Sequence, residues 1–345
     1  KRQVQAGTLA VSKSIIAAST SIFCRLAARY NIDPIPLLDA AGLDSKLMRD
    51  HNARYSSAAI DKVWQSAAEI IPDPCFGLKA AECWHPSDLH ALGYAWLASS
   101  SLRTALERFC RYARIVTDID DFTLHENEDI LSLKVDNSSL AADVLWAADT
   151  AMAILLSMCR VNFGDELEPV SVQFIHPEPA CASEYYRYFR CPVSFNAEDN
   201  RINLPLQATD LPLAGANAKL AQLNDQVMIE YLAQLDRDDV IQQVKAAIIR
   251  HLPSGNVTDS MIASSLFRNE RTLQRQLSNK GTTFKTLLNQ VRVELADKYV
   301  RDSQLSLTEI TFLLGFSEAS SFSRAFRRWT GESPSSYRRH HLGTS

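Results

Sequence analysis

Two sets of hydrogen-bonding side chains near the end of the chain have the spacing of a helix face. The first set occupies positions i, i+3, i+4 and i+7 of a predicted helix: Arg271, Gln274, Arg275 and Ser278. The second set repeats this spacing: Ser320, Ser323, Arg324 and Arg327. Guanidinium and amide groups donate hydrogen bonds to the edges of nucleic-acid bases and to phosphate oxygens. The pattern therefore predicts two surfaces for recognition, not for bond-making chemistry.

The second set lies in a predicted pair of short helices joined at a glycine. Ser306 and Glu309 have the spacing of a capping box that begins the first helix. Gly315 supplies the backbone freedom of a tight turn, and Ser317 is expected to cap the second helix. The apolar side of the pair is formed by Ile310, Leu313, Leu314, Phe322, Phe326 and Trp329. Such a helix-turn-helix places its second helix in the major groove of DNA.

A copy of this pattern lies upstream. Thr258 is expected to cap its first helix and Asn269 its second, 48 positions before Ser317. The apolar positions of the copy are Met261, Ile262, Leu266, Leu273 and Leu277. A basic, serine-bearing stripe by itself is more often a solvated helix face, but a repeated one favours DNA binding.

The segment between the two copies is predicted to be one helix, Phe284–Val300. Its apolar stripe consists of Phe284, Leu288, Val291, Leu295 and Tyr299. A helix of this length spans ~25 Å. With its flanking turns it can hold two recognition helices roughly 34 Å apart, one turn of DNA.

These residues also carry a family resemblance. The strings are Arg271-Thr-Leu-Gln-Arg-Gln-Leu277, Gly281-Thr-Thr-Phe284, Leu314-Gly-Phe-Ser-Glu-Ala-Ser-Ser-Phe-Ser-Arg-Ala-Phe-Arg-Arg-Trp-Thr-Gly331, Ser333-Pro334 and Tyr337-Arg338. Over about residues 240–340 they resemble the double helix-turn-helix of the AraC/XylS family of bacterial transcription regulators. The chain departs from the family at Thr311, where alanine is usual, and at Arg268, which is expected to strain the first turn. Base edges are the expected contacts of Arg271, Gln274, Arg275, Ser320, Ser323 and Arg324, and phosphates those of Arg327, Arg328 and Arg338. Ser278 is a further candidate for DNA contact.

Charge is divided unevenly along the 345 residues, whose net charge is −4. Residues 240–345 contain 15 Lys and Arg against 8 Asp and Glu, whereas residues 1–239 contain 21 against 32. A polyanion partner is therefore expected for the C-terminal part alone. The expected organisation is a tail (1–20), an effector-sensing or dimerisation domain (21–212), a linker helix (213–239) and a DNA-binding domain (240–345).

The seven cysteines include no CxxC pair and lie mostly in apolar helical patterns. We expect buried free thiols and a cytoplasmic location. No secretory signal is recognised. The apolar run 141–163 is interrupted by Asp143, Asp149 and Arg160, so we interpret it as a core helix, with no membrane partner.

The N-terminal part is predicted to be α+β, mostly helical with a small sheet, and the C-terminal part all-α. Residues 121–125 and 130–135 alternate as a β-hairpin. Further strands are expected at 170–175, 193–195 and 201–204, and helices before and between them. No series of parallel βαβ units is present.

A second, looser resemblance covers about residues 20–215. It rests on the block 89–112 (Leu-His-Ala-Leu-Gly-Tyr-Ala-Trp…), on Tyr188-Phe-Arg-Cys-Pro-Val-Ser-Phe195 and on 211–217. These are similar to the N-terminal domain, labelled arabinose-binding-like, of one AraC/XylS subgroup. The resemblance implies small-molecule sensing or dimerisation and does not establish a sugar ligand. Aromatic residues that can line an apolar pocket, or equally form core, are Trp64, Trp84, Tyr94, Phe109 and Trp146.

The linker region 213–237 has an apolar helical stripe formed by Leu220, Leu223, Val227, Tyr231 and Leu235. Such a stripe can pair with its copy in a homodimer or dock onto its own N-terminal domain. The pattern does not distinguish these two partners.

Catalysis is not predicted. Cys83-Trp-His85 and His176-Pro-Glu178 hold reactive side chains, but neither has the spacing of a known ligand set. No phosphate-binding glycine loop or GxSxG elbow occurs. The arginines at 103, 108, 111 and 114 are interpreted as a solvated helix face. We therefore expect no catalytic residue, no metal and no cofactor.

Three classes of function remain. The favoured one is a sequence-specific DNA-binding regulator that responds to a small-molecule effector. The second is a regulator whose N-terminal domain only dimerises or contacts proteins, and the third is an enzyme with an appended DNA-binding domain. The expected partners are a double-stranded DNA operator, an effector and a second copy of the chain, with RNA polymerase as a further candidate.

Overall fold

The structure is a computed structural model that describes residues 13–136, 145–235, 239–255, 257–301 and 305–342. The chain divides into two compact units, Lys1–Leu97 with Ser101–Ala214 and Ala98–Ser100 with Gly215–Ser345. Each unit is described by itself below. Among the described residues, no helix is long and apolar enough to cross a membrane.

The N-terminal unit is mostly helical. Its α-helices are α1 (Thr20–Arg29), α2 (Ile35–Ala40), α3 (Ser57–Ile70), α4 (Phe76–Lys79), α5 (His90–Leu97), α6 (Leu102–Tyr112), α7 (Leu145–Phe163), α8 (Ala182–Phe189) and α9 (Leu206–Asp210). Short 3₁₀ helices span Ala17–Ser19, Ser45–Arg49, Ala80–Glu82, Pro86–Leu89 and Ala113–Ile115. Helix α7, within the predicted core helix, contacts α4 and buries Met152 and Leu156 completely. The predicted residues 141–144 lie outside the described part of the chain.

In the part of the chain that the structure describes, seven strands form two sheets. They are β1 (Ser14–Ile16), β2 (Arg54–Ser56), β3 (Asp121–Glu126), β4 (Ile130–Asp136), β5 (Ser171–Gln173), β6 (Val193–Ser194) and β7 (Asn200–Pro205). Strands β1 and β2 pair with each other, and the five-stranded sheet has the order β3-β4-β7-β5-β6. The β5–β6 pair is parallel, whereas β3, β4, β7 and β5 pair antiparallel in that order. The predicted hairpin is confirmed as β3–β4, with Phe122 opposite Val135, and the α+β prediction is confirmed.

The beginning of the described chain differs from the expected tail. Ser14 pairs with Ser56 in the small sheet, and its backbone N–H donates to the Asp118 carboxylate. Ile16 is fully buried and donates its N–H to the Val116 carbonyl oxygen. Residues 13–20 are therefore part of the N-terminal fold, because their backbone groups are paired with it.

The prediction of seven free thiols was wrong for two of them. Cys75 and Cys181 form a disulfide across 106 positions of sequence. Each lies immediately before a helix, α4 and α8 respectively, and the Cα atoms are 6.2 Å apart. The remaining five cysteines are free.

The prediction that the arginines of α6 and of the turn after it form one solvated face was wrong. Arg108 is only 6% exposed. Arg103 forms ion pairs with Glu126 and Asp210. Of these four arginines, only Arg111 and Arg114 are exposed. Arg103 and Arg108 therefore contribute to contacts within the fold.

The C-terminal unit is all-α, as predicted. Its helices are α10 (Ala218–Leu235), α11 (Val240–His251), α12 (Asp259–Ser265), α13 (Glu270–Asn279), α14 (Phe284–Arg301), α15 (Leu307–Leu313), α16 (Ala319–Thr330) and α17 (Pro334–Leu342), with a 3₁₀ turn at Leu252–Ser254. One continuous hydrophobic core joins them. Val291, Ala296 and Val300 of α14 are fully buried within it.

Helix α10 packs on this unit through a face other than its apolar stripe. Ala221, Asp225 and Met228 are buried, and Asp225 forms an ion pair with Lys298 of α14. By contrast, Leu220, Leu223 and Val227 are half exposed, at 51%, 50% and 56%. The apolar stripe predicted from the sequence is therefore not the surface through which α10 packs on this unit. The buried Asp225–Lys298 ion pair lies on the opposite side of α10 and attaches the helix to the rest of the C-terminal unit.

Candidate nucleic-acid interface and ligand cavity

The first helix-turn-helix consists of α12 and α13. The hydroxyl of Thr258 accepts the Met261 N–H, and the amide oxygen of Asn269 accepts the Arg271 N–H. Both predicted caps are confirmed. The strained residue of the turn is Phe267, with φ 53°, not Arg268 as expected. The Arg268 guanidinium donates to the Gln243 side chain at 2.7 Å.

The four selected residues of α13 lie on its exposed face. Leu273 and Leu277 are buried on the opposite side of the helix, so the face is turned outward: Arg271, Gln274, Arg275 and Ser278. The Gln274 amide donates to Asp259 at 3.1 Å and to Glu270 at 3.3 Å. These two contacts with carboxylates hold the Gln274 amide on the same helix face as Arg271 and Arg275.

The second helix-turn-helix consists of α15 and α16. The predicted capping box of Ser306 and Glu309 is confirmed in both directions. Gly315 has φ 68°, as the tight turn requires. Helix α16 begins one residue later than expected, because its N-cap is Glu318, not Ser317, and no side chain caps it.

The predicted DNA-contact residues of α16 lie on its outer face. Phe322 and Phe326 are buried on the inner side. Ser320, Arg324, Arg327 and Arg328 are exposed, and Ser323 is partly exposed. Arg324 donates to the Ser321 hydroxyl at 3.2 Å. The guanidinium groups of Arg324, Arg327 and Arg328 thus have access to solvent along about one turn of helix.

Arg338 is placed differently from the other selected arginines. It is partly buried, and its Nε donates to the Val300 carbonyl oxygen at 2.8 Å. That carbonyl belongs to the last turn of α14, where carbonyl groups lack intrahelical partners. Arg338 therefore stabilises the end of α14.

Helix α14 contacts the second helix-turn-helix unit directly and shares one hydrophobic core with both units. Arg292 donates to the Leu314 carbonyl oxygen at 3.1 Å, and its guanidinium lies 4.8 Å from the centroid of the Phe316 ring. Phe284 and Leu287 pack in the same core as Leu273 and Leu277. One helix thus supports both exposed faces.

The N-terminal unit contains a cavity of about 180 Å³. Its walls are mainly apolar and aromatic, and Trp64 and Trp146 stack there with ring centroids 5.0 Å apart. Phe109 and Phe122 form a second aromatic pair at 4.9 Å. Of the five aromatic residues selected from the sequence, the cavity is lined by Trp64, Phe109 and Trp146.

The other two selected residues lie elsewhere. The Trp84 indole N–H donates to the Ser157 hydroxyl at 2.8 Å, and the ring packs beside a hydrophobic core cluster. Tyr94 is 49% exposed. Neither contributes to the cavity walls.

Two carboxylates that the sequence analysis did not select also line the cavity, Asp61 and Asp120. Burial raises the pKa of Asp120 to about 7 and also raises the pKa of Asp61. One oxygen of Asp120, Oδ1, is buried without a hydrogen-bond partner. The sequence contains a signal for the partial burial of both carboxylates. Asp120 directly follows the apolar Ile119, and Asp61 lies between the apolar residues Ile60 and Val63.

The two short motifs with reactive side chains have structural partners. The His85 Nδ1 lies 2.8 Å from the Ser87 hydroxyl, within a capping box. His176 is buried and bonds Asp149 at 3.1 Å. Burial is the largest single influence on the pKa of His176 and lowers it, but the hydrogen bonds to Asp149 and to the Pro177 carbonyl oxygen and the charge of Asp149 together raise the pKa. Within the described ranges, no group of three or more His, Cys, Asp or Glu is placed to hold a metal.

Two protein-family models match the chain. One, described as the arabinose-binding domain of AraC transcription regulator, N-terminal, matches residues 32–213. The other, described as a helix-turn-helix domain, matches residues 262–340. Together they cover most of the residues that line the cavity and both exposed basic faces.

Similar proteins are bacterial regulators. The ornithine utilization regulator of Pseudomonas aeruginosa is 32% identical over 316 residues, which are 91% of this chain and 93% of that protein. The regulator VirS of Mycobacterium tuberculosis is 23% identical over 320 residues, 89% of this chain and 91% of VirS. The crystal structure of the transcriptional regulator CdpR from Pseudomonas aeruginosa is 21% identical, with a TM-score of 0.49 over 91% of this chain and 98% of CdpR.

Proposed function

Since this chain belongs to the AraC family of transcription regulators, we propose that it reads an operator through α13 and α16 under the control of a small-molecule effector. The chain is a DNA-binding transcription regulator with an arabinose-binding-like N-terminal domain. The observation that carries the proposal is the pair of exposed basic faces on one core, supported by α14. The binding of an operator by these two faces, and the control of that binding by an effector, are proposals.

The proposed contacts divide into two kinds. Arg271, Gln274 and Arg275 on α13, with Ser320, Ser323 and Arg324 on α16, contact base edges, because they share the outward faces of the recognition helices. Ser278, Arg327 and Arg328 contact the sugar-phosphate backbone. Arg338 supports α14 and contacts phosphate only through its remaining donors.

The cavity in the N-terminal unit is the proposed effector site. It lies within one compact unit and is lined mainly by apolar and aromatic side chains with a few polar groups, as small-molecule sites are. The alternative is an N-terminal domain that only dimerises. A true effector raises the melting temperature of the protein, whereas dimerisation alone makes that temperature depend on protein concentration.

A homodimer is proposed through the exposed row Leu220, Leu223 and Val227 of α10. These side chains are about half exposed and lie at i, i+3 and i+7, so they form one continuous apolar row. Leu223→Asp is expected to weaken dimerisation in sedimentation equilibrium. Gln234→Asp, at an exposed polar position of the same helix, is the matched control.

The remaining proposals follow from this function. A regulator that binds the chromosome works in the cytoplasm, contacts RNA polymerase if it activates, and needs no catalysis. The relative named for ornithine utilization suggests that amino-acid catabolism is one process to test for control by this chain.

The proposal is tested by operator selection. Purified protein is used to enrich duplexes from a random pool, and its affinity for the selected operator is compared with that for a scrambled duplex at fixed salt. We expect a preference of about 10³-fold or more. Equal affinity for both duplexes would overturn the proposal of specific reading and leave only nonspecific phosphate binding.

A further inference from the structure

We propose that the N-terminal cavity takes a small organic cation, an amine or quaternary ammonium with an aromatic or apolar body and no acidic group. This inference deepens the proposed effector function and rests on it. The ligand class follows from which polar groups of the cavity are left without partners, and from what surrounds them.

The hydroxyl groups of the cavity are already used within the protein. Ser19 donates to the Ile16 carbonyl oxygen, and Thr150 donates to the Gly77 carbonyl oxygen. The Thr117 hydroxyl accepts the Ile119 N–H at 3.0 Å. The ionisable groups among the lining residues are the Asp61 and Asp120 carboxyls.

The Asp120 carboxyl is poorly compensated by its protein neighbours. Its Oδ1 atom is buried and lacks a hydrogen-bond partner. An ionised carboxylate in such a place is unfavourable unless an opposite charge or hydrogen-bond donors reach it. An ammonium group supplies both the charge and the donors. The charge of Asp61, which acts on Asp120, adds to the attraction for a cation.

The walls suit the body of such a ligand. The cavity volume of about 180 Å³ is slightly larger than the roughly 150 Å³ cavity that accommodates benzene in an engineered protein. A single ring with a short aminoalkyl chain is therefore the right size. The stacked Trp64–Trp146 pair and the Phe109–Phe122 pair offer ring surfaces, which also attract cations.

An acidic group on the ligand is disfavoured by the same walls. Within the described residues, no Lys or Arg lines the cavity. A ligand carboxylate would be placed near two protein carboxyls with no cation to pair with. The cavity therefore selects simple amines over amino acids, including ornithine.

The charged groups around Asp120 set how binding depends on pH. Lys13 lowers its pKa, whereas Asp61, Asp121 and Asp136 raise it, and burial is the largest cause. The resulting pKa is about 7, so the carboxyl is mostly protonated at pH 6 and mostly ionised at pH 8. Because an ammonium binds the ionised form, affinity is expected to be about tenfold higher at pH 8 than at pH 6.

The test uses the full chain and four probes in isothermal titration calorimetry: 2-phenylethylamine, 2-phenylethanol, phenylacetate and ornithine. The first three share one ring and a short chain and differ in charge. We expect the amine to bind most tightly, with the stated pH dependence, and phenylacetate and ornithine to bind least. Tighter binding of the alcohol or of an acid would overturn the cation assignment while leaving the effector proposal standing. No binding by any probe at millimolar concentration would also overturn the cation assignment, whereas the effector proposal is tested separately by the search for a compound that raises the melting temperature.

Variants locate the site. Asp120→Asn is expected to weaken amine binding roughly 30-fold or more, to remove its pH dependence and to leave binding of the alcohol unchanged. Asp121→Asn is the matched control, because it removes the same charge from an exposed neighbouring position. Asp61→Asn is a second variant for which a smaller loss is expected. Equal effects of the substitutions at 120 and 121 would show that the cavity carboxyl is not the contact, and the proposal would fail.

Discussion

Phe267 and Gly315 occupy the same position in the two helix-turn-helix units, 48 residues apart, and both have a left-handed backbone, with φ of 53° and 68°. Only the glycine adopts this conformation without steric cost. The phenylalanine is 99% exposed, so no packing of its ring compensates for the strain. The two turns therefore have the same geometry but different intrinsic stability.

Phe267→Gly is expected to stabilise the C-terminal unit by about 1 kcal/mol, because it removes the left-handed strain at a position with no packing to lose. Chemical denaturation measures the change. Gly315→Ala, in the equivalent turn, is expected to destabilise by about 2 kcal/mol or more. An added Cβ there would lie 2.6 Å from the Leu252 carbonyl oxygen. A loss of stability in Phe267→Gly would show that the exposed ring has a packing role.

Arg324→Ala and Arg328→Ala are expected to affect DNA binding differently. The first removes a base contact, so it should cost ~1–3 kcal/mol on the selected operator and relax the preference at one base step. The second removes a phosphate contact, so it should weaken binding to all sequences alike and flatten the salt dependence. Binding titrations on operator and scrambled duplexes at several salt concentrations measure both effects. Arg187→Ala, at an exposed arginine of the N-terminal unit, is the control. A uniform loss across sequences for both variants would contradict the division of roles.

Asp120→Asn is expected to stabilise the protein, and more at high pH than at low pH. The folded-state pKa of Asp120 is raised to about 7, so in the folded state the carboxyl holds its proton to higher pH than in the unfolded state. Its contribution to stability is complete below the unfolded pKa of roughly 3.9 and is lost as the pH rises through about 7. The gain from the substitution should therefore increase by about 1–3 kcal/mol between pH 5 and pH 8. Melting curves at both pH values measure it, and an equal gain at each would contradict the assigned pKa.

Features determined by neighbouring residues were predictable from the sequence. The caps at Thr258 and Asn269, the capping box at Ser306 and the turn at Gly315 each depend on a few adjacent positions. The helical stripe of α14 and the alternation of β3 and β4 are equally local. The cap of α16 was the exception, since Ser317 and Glu318 are neighbours and the pattern does not decide between them.

Features that depend on distant residues were not predictable in this way. The Cys75–Cys181 disulfide joins positions 106 apart, and only the tertiary fold brings them together. Asp120 becomes a cavity residue because α3 and α7 supply the other walls. The buried face of α10 was missed because Asp225 is polar in sequence but is paired with Lys298 in the fold.

The central claim is that the two helix-turn-helix units act as one reader whose spacing is set by α14. That helix is buried in the core that both units share, and Phe284–Arg301 contains no Gly or Pro. Inserting Gly-Gly beside the exposed Glu294 should break its continuity. The insertion should then lower specific affinity more than the loss of one base contact, while salt-dependent nonspecific binding remains.

The most direct measurement is a hydroxyl-radical and methylation footprint on the selected operator, with the intact chain and the Gly-Gly insertion side by side. The account predicts that each monomer of the intact chain protects two adjacent major-groove faces about ten base pairs apart. With the insertion, this paired protection should be lost. A footprint confined to one major groove and unchanged by the insertion would contradict the account and leave one helix-turn-helix unit without a role in DNA reading.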